Sequence, residues 1–262
     1  MKKKLPIFMK RLILFVLLAA PLTGVQAQIN GMEDFIAKLQ DLRTISQKMG
    51  KYYILQNLYP TEDKYKKALE ENVNTYNTTL AELIEQAPSD ELEMEMLKLN
   101  LTWLYVGKVL KTKYDRAAAA KVLDKLEYLQ QEADNISKLV MQLTKKEQAK
   151  IVQTATESRV MLQRMGLYFM AKRAKILNNN IDQRFNESKQ KLKEDIYKLD
   201  SWEKNDETTQ MLLDMIKTKL KSIMKKISLK SKVNPLTADM VIEGMDNDLK
   251  LLIKVFREKA NQ

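Results

Sequence analysis

The 262-residue sequence contains no cysteine and no histidine, and these two absences exclude much of protein chemistry. Without cysteine, the chain has no disulfides, no thiolate nucleophile and no cysteine metal ligands. Without histidine, it lacks the commonest general base and the commonest metal ligand. The remaining carboxylates, lysines, tyrosines and hydroxyl groups form no recognisable catalytic set. The sequence therefore predicts a protein that is not an enzyme and holds no metal and no cofactor.

Glycine and proline are also scarce, with six and five in the whole chain. Strong helix formers dominate, and no strand-like alternation of apolar and polar residues is visible. The sequence therefore predicts an all-α protein of about eight helices in two tandem four-helix bundle modules. The predicted helices cover residues 31–58, 62–86, 89–113, 116–143, 144–177, 181–202, 206–229 and 237–260.

The junction between the fourth and fifth predicted helices leaves two alternatives open. Thr144 and Glu147 have the spacing of a capping box, which predicts that a new helix begins there. However, neither glycine nor proline occurs between Arg116 and Lys150. The two modules are therefore joined either through two separate helices or through one long shared helix.

The amino terminus has the pattern of a secretory signal peptide. Lysines at positions 2, 3, 4 and 10 and Arg11 precede an apolar run over 12–20, and Val25-Gln26-Ala27 matches a signal-peptidase site. Removal of residues 1–27 takes away five basic residues and no acidic one, so the formal charge falls from +11 to +6. No second apolar segment of spanning length follows. We expect a soluble mature chain that is periplasmic or secreted and binds no nucleic acid.

A sequence repeat divides the mature chain into halves. Residues 43–54 and 159–170 share five identities in twelve positions at an offset of 116 residues. The order of predicted helices after each copy also agrees, which indicates a duplication. The predicted modules are residues 28–144 and 145–262. The identical pairs are Arg43 and Arg159, Gln47 and Gln163, Met49 and Met165, Gly50 and Gly166, and Tyr52 and Tyr168.

The repeated residues share one helix face. The arginine, glutamine and glycine of each copy lie at i, i+4 and i+7. A glycine inside a helix costs about 1 kcal/mol relative to alanine, so its repetition needs a physical reason. One interpretation is a buried arginine and glutamine that are satisfied by neighbouring helices. The other is contact with a ligand, since the guanidinium group suits carboxylate-like or nitrate-like anions.

The pattern Arg-x-x-x-Gln-(Lys/Arg)-Met-x-x-Tyr resembles the PilJ-type sensor module, the amino-terminal domain of type IV pilus methyl-accepting chemotaxis transducers. Ser46-Gln47-Lys48-Met49 follows the family motif in the first copy, whereas Leu162 replaces the usual serine in the second. The resemblance implies a periplasmic ligand-sensing helical bundle, similar to the sensor domains of nitrate/nitrite receptor kinases. In those domains an arginine on the first helix of each subunit meets the anion at a dimer interface.

From the resemblance we predict two groups of site residues. The ligand-binding group is Arg43, Gln47, Lys48, Arg159, Gln163 and Arg164. The structural group is Met49, Gly50, Tyr53, Met165, Gly166 and Phe169. Modules packed side by side would place the two motif arginines in a pseudo-symmetric arrangement. Modules stacked end to end would separate them, and each arginine would then need a second chain in a homodimer or would be structural.

The chain departs from this family in one respect, because family members usually lie between two membrane helices and feed a cytoplasmic signalling domain. We therefore expect the protein to bind a small anion or to report to a membrane receptor or another envelope protein. The alternative is a periplasmic helical scaffold or interaction protein without a small-molecule ligand. The lysine-rich segment 217–232 is either a solvated helix surface or a site for an anionic lipid or polysaccharide.

Overall fold

A computed structural model describes residues 32–112, 114–143 and 147–260 of the chain. The predicted signal peptide and the predicted capping threonine, Thr144, lie outside these residues. The described part is helical and contains no strand, which confirms the predicted fold class. Its helices are α1 (Met32–Leu58), α2 (Asp63–Glu85), α3 (Asp90–Leu110), α4 (Arg116–Leu143), α5 (Glu147–Arg173), α6 (Ile181–Asp200), α7 (Glu207–Lys226) and α8 (Pro235–Ala260).

Side-chain caps account for several helix starts. The Ser89 hydroxyl accepts a hydrogen bond from the Leu92 N–H at 3.2 Å, and the Asp206 carboxylate accepts one from the Thr209 N–H at 2.9 Å. Each such bond satisfies one of the backbone donors that a helix leaves unpaired at its start. In contrast, the residue before α2 is Glu62, and its side chain makes no capping bond.

The helices form two four-helix bundles, which we call the first module (α1–α4) and the second module (α5–α8). In each module the first helix packs against the second and fourth, and the third packs against the second and fourth. The modules join through a broad contact between α1 and α5. The two first helices therefore form the centre of the molecule, with the other helices around them.

The two central helices run parallel. Arg43 pairs with Glu157, and seven residues further along α1 Gly50 faces Leu167 of α5, so residue numbers rise together along both helices. In contrast, α4 is antiparallel to α1, because Gln40 bonds to Ser137 near one end while Gly50 faces Leu126 further along. Because α5 runs parallel to α1, it is antiparallel to α4. Helices α4 and α5 are therefore separate helices and not one shared helix.

Burial explains why the central helices have little amphipathic pattern. Every residue from 46 to 55 of α1 is buried, and so is almost every residue from 158 to 171 of α5. A helix surrounded by neighbours has no solvent face, and its polar side chains must find partners inside the protein. The outer helices bury only one face each. Among the described residues, no helix is long and apolar enough to cross a membrane.

The buried positions of the outer helices also repeat between modules. The buried faces of α2 and α6 match at an offset of 116 residues, with Tyr65 and Leu69 corresponding to Ile181 and Phe185. Those of α3 and α7 match at an offset of 117. The α3 residues Leu92, Met96, Leu99, Trp103 and Val106 correspond to Thr209, Leu213, Ile216, Leu220 and Ile223 of α7. The duplication therefore extends over the packing of the helices, well beyond the twelve-residue motif.

Candidate functional site

The repeated motif lies at the interface of the central helices, where the two modules meet. Its two arginines are each bound by a carboxylate of the opposite module. Arg43 binds Glu157, with Nη1 2.5 Å from Oε2 and Nη2 3.1 Å from Oε1. Arg159 binds Asp41, with Nη1 2.8 Å from Oδ1. Asp41 and Glu157 are themselves 116 residues apart. The two ion pairs are therefore related by the same pseudo-two-fold arrangement as the modules.

Each motif arginine has further partners within its own module. Arg43 donates to Gln40 Oε1 at 2.6 Å and pairs with Asp134 at 3.2 Å. With its amide oxygen facing the guanidinium, Gln130 accepts from Arg43 Nε at 3.0 Å. Arg159 Nε donates to Asp246 Oδ1, also at 3.0 Å. Burial alone would lower the pKa of Arg159, but attraction by Asp246 and Asp41 raises it.

The basic residue after each motif glutamine also crosses to the other module. Lys48 Nζ lies 2.7 Å from Glu243 Oε2 and 2.9 Å from Asp246 Oδ2 on α8. Arg164 holds Glu127 of α4 with two hydrogen bonds of 2.8 Å. Glu127 and Glu243 are again separated by 116 residues. The contacts of Lys48 with Glu243 and of Arg164 with Glu127 are therefore a second pair of symmetric charge-assisted contacts between the modules.

The two motif glutamines are fully buried and differ in their partners. Gln163 Nε2 donates to Glu243 Oε1 at 2.9 Å, whereas Gln47 Nε2 reaches only the Ser46 hydroxyl at 3.4 Å. The amide oxygens of both side chains accept no hydrogen bond in the described part of the chain. A buried acceptor without a donor carries a desolvation cost, so both motif glutamines are held at a cost in stability.

The residues predicted to be structural lie in the core. The side chains of Met49, Tyr53, Met165 and Phe169 are buried with at most 1 % exposed. A Cβ atom on Gly50 would come within 2.5 Å of Leu126 Cδ1, and one on Gly166 within 2.9 Å of Ile242 Cδ1. Leu126 and Ile242 are also 116 residues apart. Both glycines therefore allow a neighbouring helix to approach closely.

Sequence reasoning missed a buried charge cluster beside the motif. Lys51 is fully buried, and its ammonium group lies 2.7 Å from Asp239 and 2.6 Å from Glu243. Burial alone would lower the pKa of Lys51, but attraction by Glu243 and Asp239 raises it. The same cluster lowers the pKa of Glu243 to about 2, against the effect of burial, through Lys51 and Lys48.

The symmetry-related side of the interface has apolar residues in place of this cluster. Leu167 and Leu123 stand at the positions equivalent to Lys51 and Asp239. The Leu167 side chain packs against Gly50 of α1, and the aliphatic part of Lys51 packs against Gly166 of α5. Leu167 and Lys51 therefore occupy equivalent positions, each against the central helix of the other module. Aligning the two halves of the sequence at an offset of 116 residues beyond the motif would have shown that leucines replace Lys51 and Asp239. The same alignment would have marked Asp41 and Glu157 as equivalent carboxylates.

The cations of the site are already neutralised by carboxylates of the protein. Five cations at the centre face seven carboxylates within ion-pairing distance, and two of these carboxylates also pair with the outer lysines Lys138 and Lys250. The cations are Arg43, Lys48, Lys51, Arg159 and Arg164, and the carboxylates are Asp41, Asp134, Glu157, Glu127, Glu243, Asp246 and Asp239. An anion that entered here would have to displace a carboxylate of the protein. The described residues contain no group of acidic side chains placed to hold a metal ion.

No protein-family model, no curated protein and no solved structure matches the chain. The resemblance to the PilJ-type sensor module therefore rests on the motif alone and stays a prediction.

Proposed function

We propose that the protein is a non-enzymatic interaction protein of the cell envelope, in which the repeated motif joins two helical modules into one rigid body. The observation that carries this proposal is the reciprocal binding of Arg43 by Glu157 and of Arg159 by Asp41. The protein's own carboxylates hold the positions at which the resemblance would place an anion. The motif then serves to fix the register of the modules.

The outer surface of α3 supplies a face for a protein partner. Leu101, Leu104 and Tyr105 are 70 %, 49 % and 50 % exposed and lie side by side on this helix. Large apolar side chains grouped on a surface are typical of protein contacts. The equivalent positions of α7 are polar, namely Thr218, Lys221 and Ser222. The duplication thus presents the apolar face in one module only, as expected for a single partner.

A thermal-shift experiment tests the role of the motif. The chain from residue 28 to 262 is melted with nitrate, nitrite and small carboxylates, beside the Arg43→Ala and Arg159→Ala variants. We expect both variants to melt lower and no anion to stabilise the protein specifically. A bound ligand at about 100 times its Kd would add about 2.7 kcal/mol, which the assay would detect. Stabilisation by one anion that disappears in either variant would refute the structural role.

In-cell crosslinking tests the proposed partner face. A photo-crosslinking amino acid at Leu101 should capture one discrete partner, whereas the same residue at Thr218 should not. Equal crosslinking from both positions would show that α3 has no special role.

A small-anion sensor is the second candidate. The favouring observation is that α1 and α5 lie parallel and place Arg43 and Arg159 symmetrically, as the resemblance implies for modules packed side by side. In that case an anion would compete with Asp41 or Glu157 for a guanidinium group. Stabilisation of the unmodified chain by one anion, and stronger stabilisation of the Asp41→Asn variant by the same anion, would favour this candidate.

A further inference from the structure

A basic groove lies between α6 and α7 of the second module. It has a volume of about 680 Å³ and is lined by four lysines, two on each helix, above an apolar floor. The lysines are Lys189, Lys193, Lys221 and Lys225, and the floor is formed by Leu220 and Met224. Its size falls within the range of sites that hold one small ligand or part of a larger one.

The first module shows why the groove exists. Trp103 of α3 occupies the equivalent place, with its ring 4.2 Å from that of Tyr76 and its Nε1 donating to Asn77 Oδ1 at 2.6 Å. Gly107 makes room for the indole, since a Cβ there would lie 3.3 Å from Trp103 Cζ2. The second module has Leu220 in place of Trp103. The indole that fills the first groove is thus missing from the second.

The substitutions between modules also change the charge of the groove. Lys193 stands at the position of Asn77, Met224 at that of Gly107 and Lys221 at that of Leu104. Lys189 likewise replaces Val73, so three of the four lysines are specific to the second module. These lysines come from two helices and line one groove. A single helix with a generally basic surface would not bring them together in this way.

Most of these lysines have no acidic partner within the protein. Lys193, Lys221 and Lys225 are exposed, and none forms an ion pair with a carboxylate of the described residues. The neighbouring Glu194 accepts a hydrogen bond from Gln190, and Asp195 is held by Lys191. Lys189 donates to the Met224 carbonyl at 3.1 Å and so fixes one wall of the groove. The three exposed ammonium groups therefore remain available to an external anion.

We propose that the groove between α6 and α7 docks the protein onto an anionic phospholipid surface, with a lipid phosphate among the lysines and apolar lipid atoms against Leu220 and Met224. Lysine ammonium groups act as point charges and suit a diffuse anionic surface, whereas specific carboxylate recognition favours the planar fork of arginine, which the groove lacks. Tyr197, 48 % exposed, adds an aromatic side chain to the apolar part of the groove lining. A polar acidic peptide would leave this apolar surface uncovered.

Vesicle binding tests this proposal. The chain from residue 28 to 262, which contains every described residue, is titrated with vesicles of phosphatidylglycerol mixed with phosphatidylcholine and with vesicles of phosphatidylcholine alone. We expect binding to the anionic vesicles only. In the triple variant Lys193→Gln/Lys221→Gln/Lys225→Gln, affinity should fall by about fivefold per lysine, or about 100-fold in total.

A matched control removes the same charge elsewhere. The variant Lys66→Gln/Lys67→Gln/Lys121→Gln changes three exposed lysines of the first module and should keep most of the binding. Helical circular dichroism and melting temperature confirm that both variants fold. Equal losses in the two triple variants, or no binding of the unmodified chain to anionic vesicles, would overturn the proposal. So would polyglutamate that binds as tightly as the vesicles, because the groove would then fit an acidic protein.

Discussion

The buried pair of Lys51 and Asp239 allows a sharp test of how charge is tolerated between the modules. Lys51 has no exposed surface and Asp239 has 7 %. Replacing Lys51 by leucine leaves Asp239 without its cation, and removal of one partner from a buried pair costs about 3–5 kcal/mol. Replacing Asp239 by leucine should cost less, about 2 kcal/mol, because Lys51 keeps Glu243 at 2.6 Å.

The double variant Lys51→Leu/Asp239→Leu should recover most of this loss. It copies Leu167 of α5 and Leu123 of α4, which already occupy the equivalent positions on the symmetry-related side of the interface between the modules. It also leaves Glu243 paired with Lys48 at 2.7 Å. Replacement of a buried ion pair by apolar side chains of similar volume is often neutral or stabilising. We expect the double variant to lie within about 1 kcal/mol of the unmodified chain, which implies a coupling of at least about 3 kcal/mol.

Chemical denaturation of the four proteins measures this coupling. In a chain of this size, 1 kcal/mol corresponds to about 2–4 °C in Tm, so a loss of about 3–5 kcal/mol should make the Lys51→Leu variant melt roughly 6–20 °C lower. A double variant as unstable as the sum of the single variants would contradict this coupling. That result would mean that this side of the interface cannot accept the apolar packing of the symmetry-related side.

Three further predictions concern packing, titration and cooperativity. Gly50→Ala should destabilise the protein by about 1–3 kcal/mol, because the added methyl group would collide with Leu126. Gly244→Ala should stabilise it by up to about 1 kcal/mol, because nothing lies within 4 Å of the added methyl group. Equal effects of the two changes on the denaturation midpoint would contradict this prediction. The pKa of Glu243 is lowered from 4.5 to about 2, so its stabilisation, on the order of 3 kcal/mol, should be complete above pH 4.5 and lost as the pH falls towards 2. Glu243→Gln should flatten that part of the stability profile, and an unchanged slope would exclude Glu243 as its cause. Fluorescence of Trp103 in the first module and of Trp202 in the second should report one shared unfolding transition, because the central helices belong to both cores; two separated transitions would show independent modules.

The sequence predicted the helices well because their signals are local. The scarcity of glycine and proline and the prolines at 60, 88 and 235 located most helix ends to within a few residues. The errors were at ends decided by a single turn. The fifth helix ends at Arg173 and not near residue 177. Two residues after its end, Lys175 adopts a positive φ of 54°. The last helix begins at Pro235, whose missing N–H is no cost in a first helical turn.

The motif itself was visible in the sequence, but its partners were not. The repeat at an offset of 116 residues marked Arg43 and Arg159, and their spacing indicated a shared helix face. Whether these arginines meet an anion from solution or a carboxylate of the protein depends on which residues face them. Those residues lie more than a hundred positions away, at Glu157 and Asp41, on helices whose relative direction the sequence left open.

Sequence alone thus determined the helical class, the duplication and the residues at its centre, because helix propensity, periodicity and repetition are properties of neighbouring residues. The tertiary structure alone decided that the modules lie side by side with parallel central helices, that the motif cations are neutralised from the opposite module, and that one groove is closed by Trp103 while the other is open and basic. These outcomes depend on contacts between distant segments, and packing selects them only when all the helices are in place.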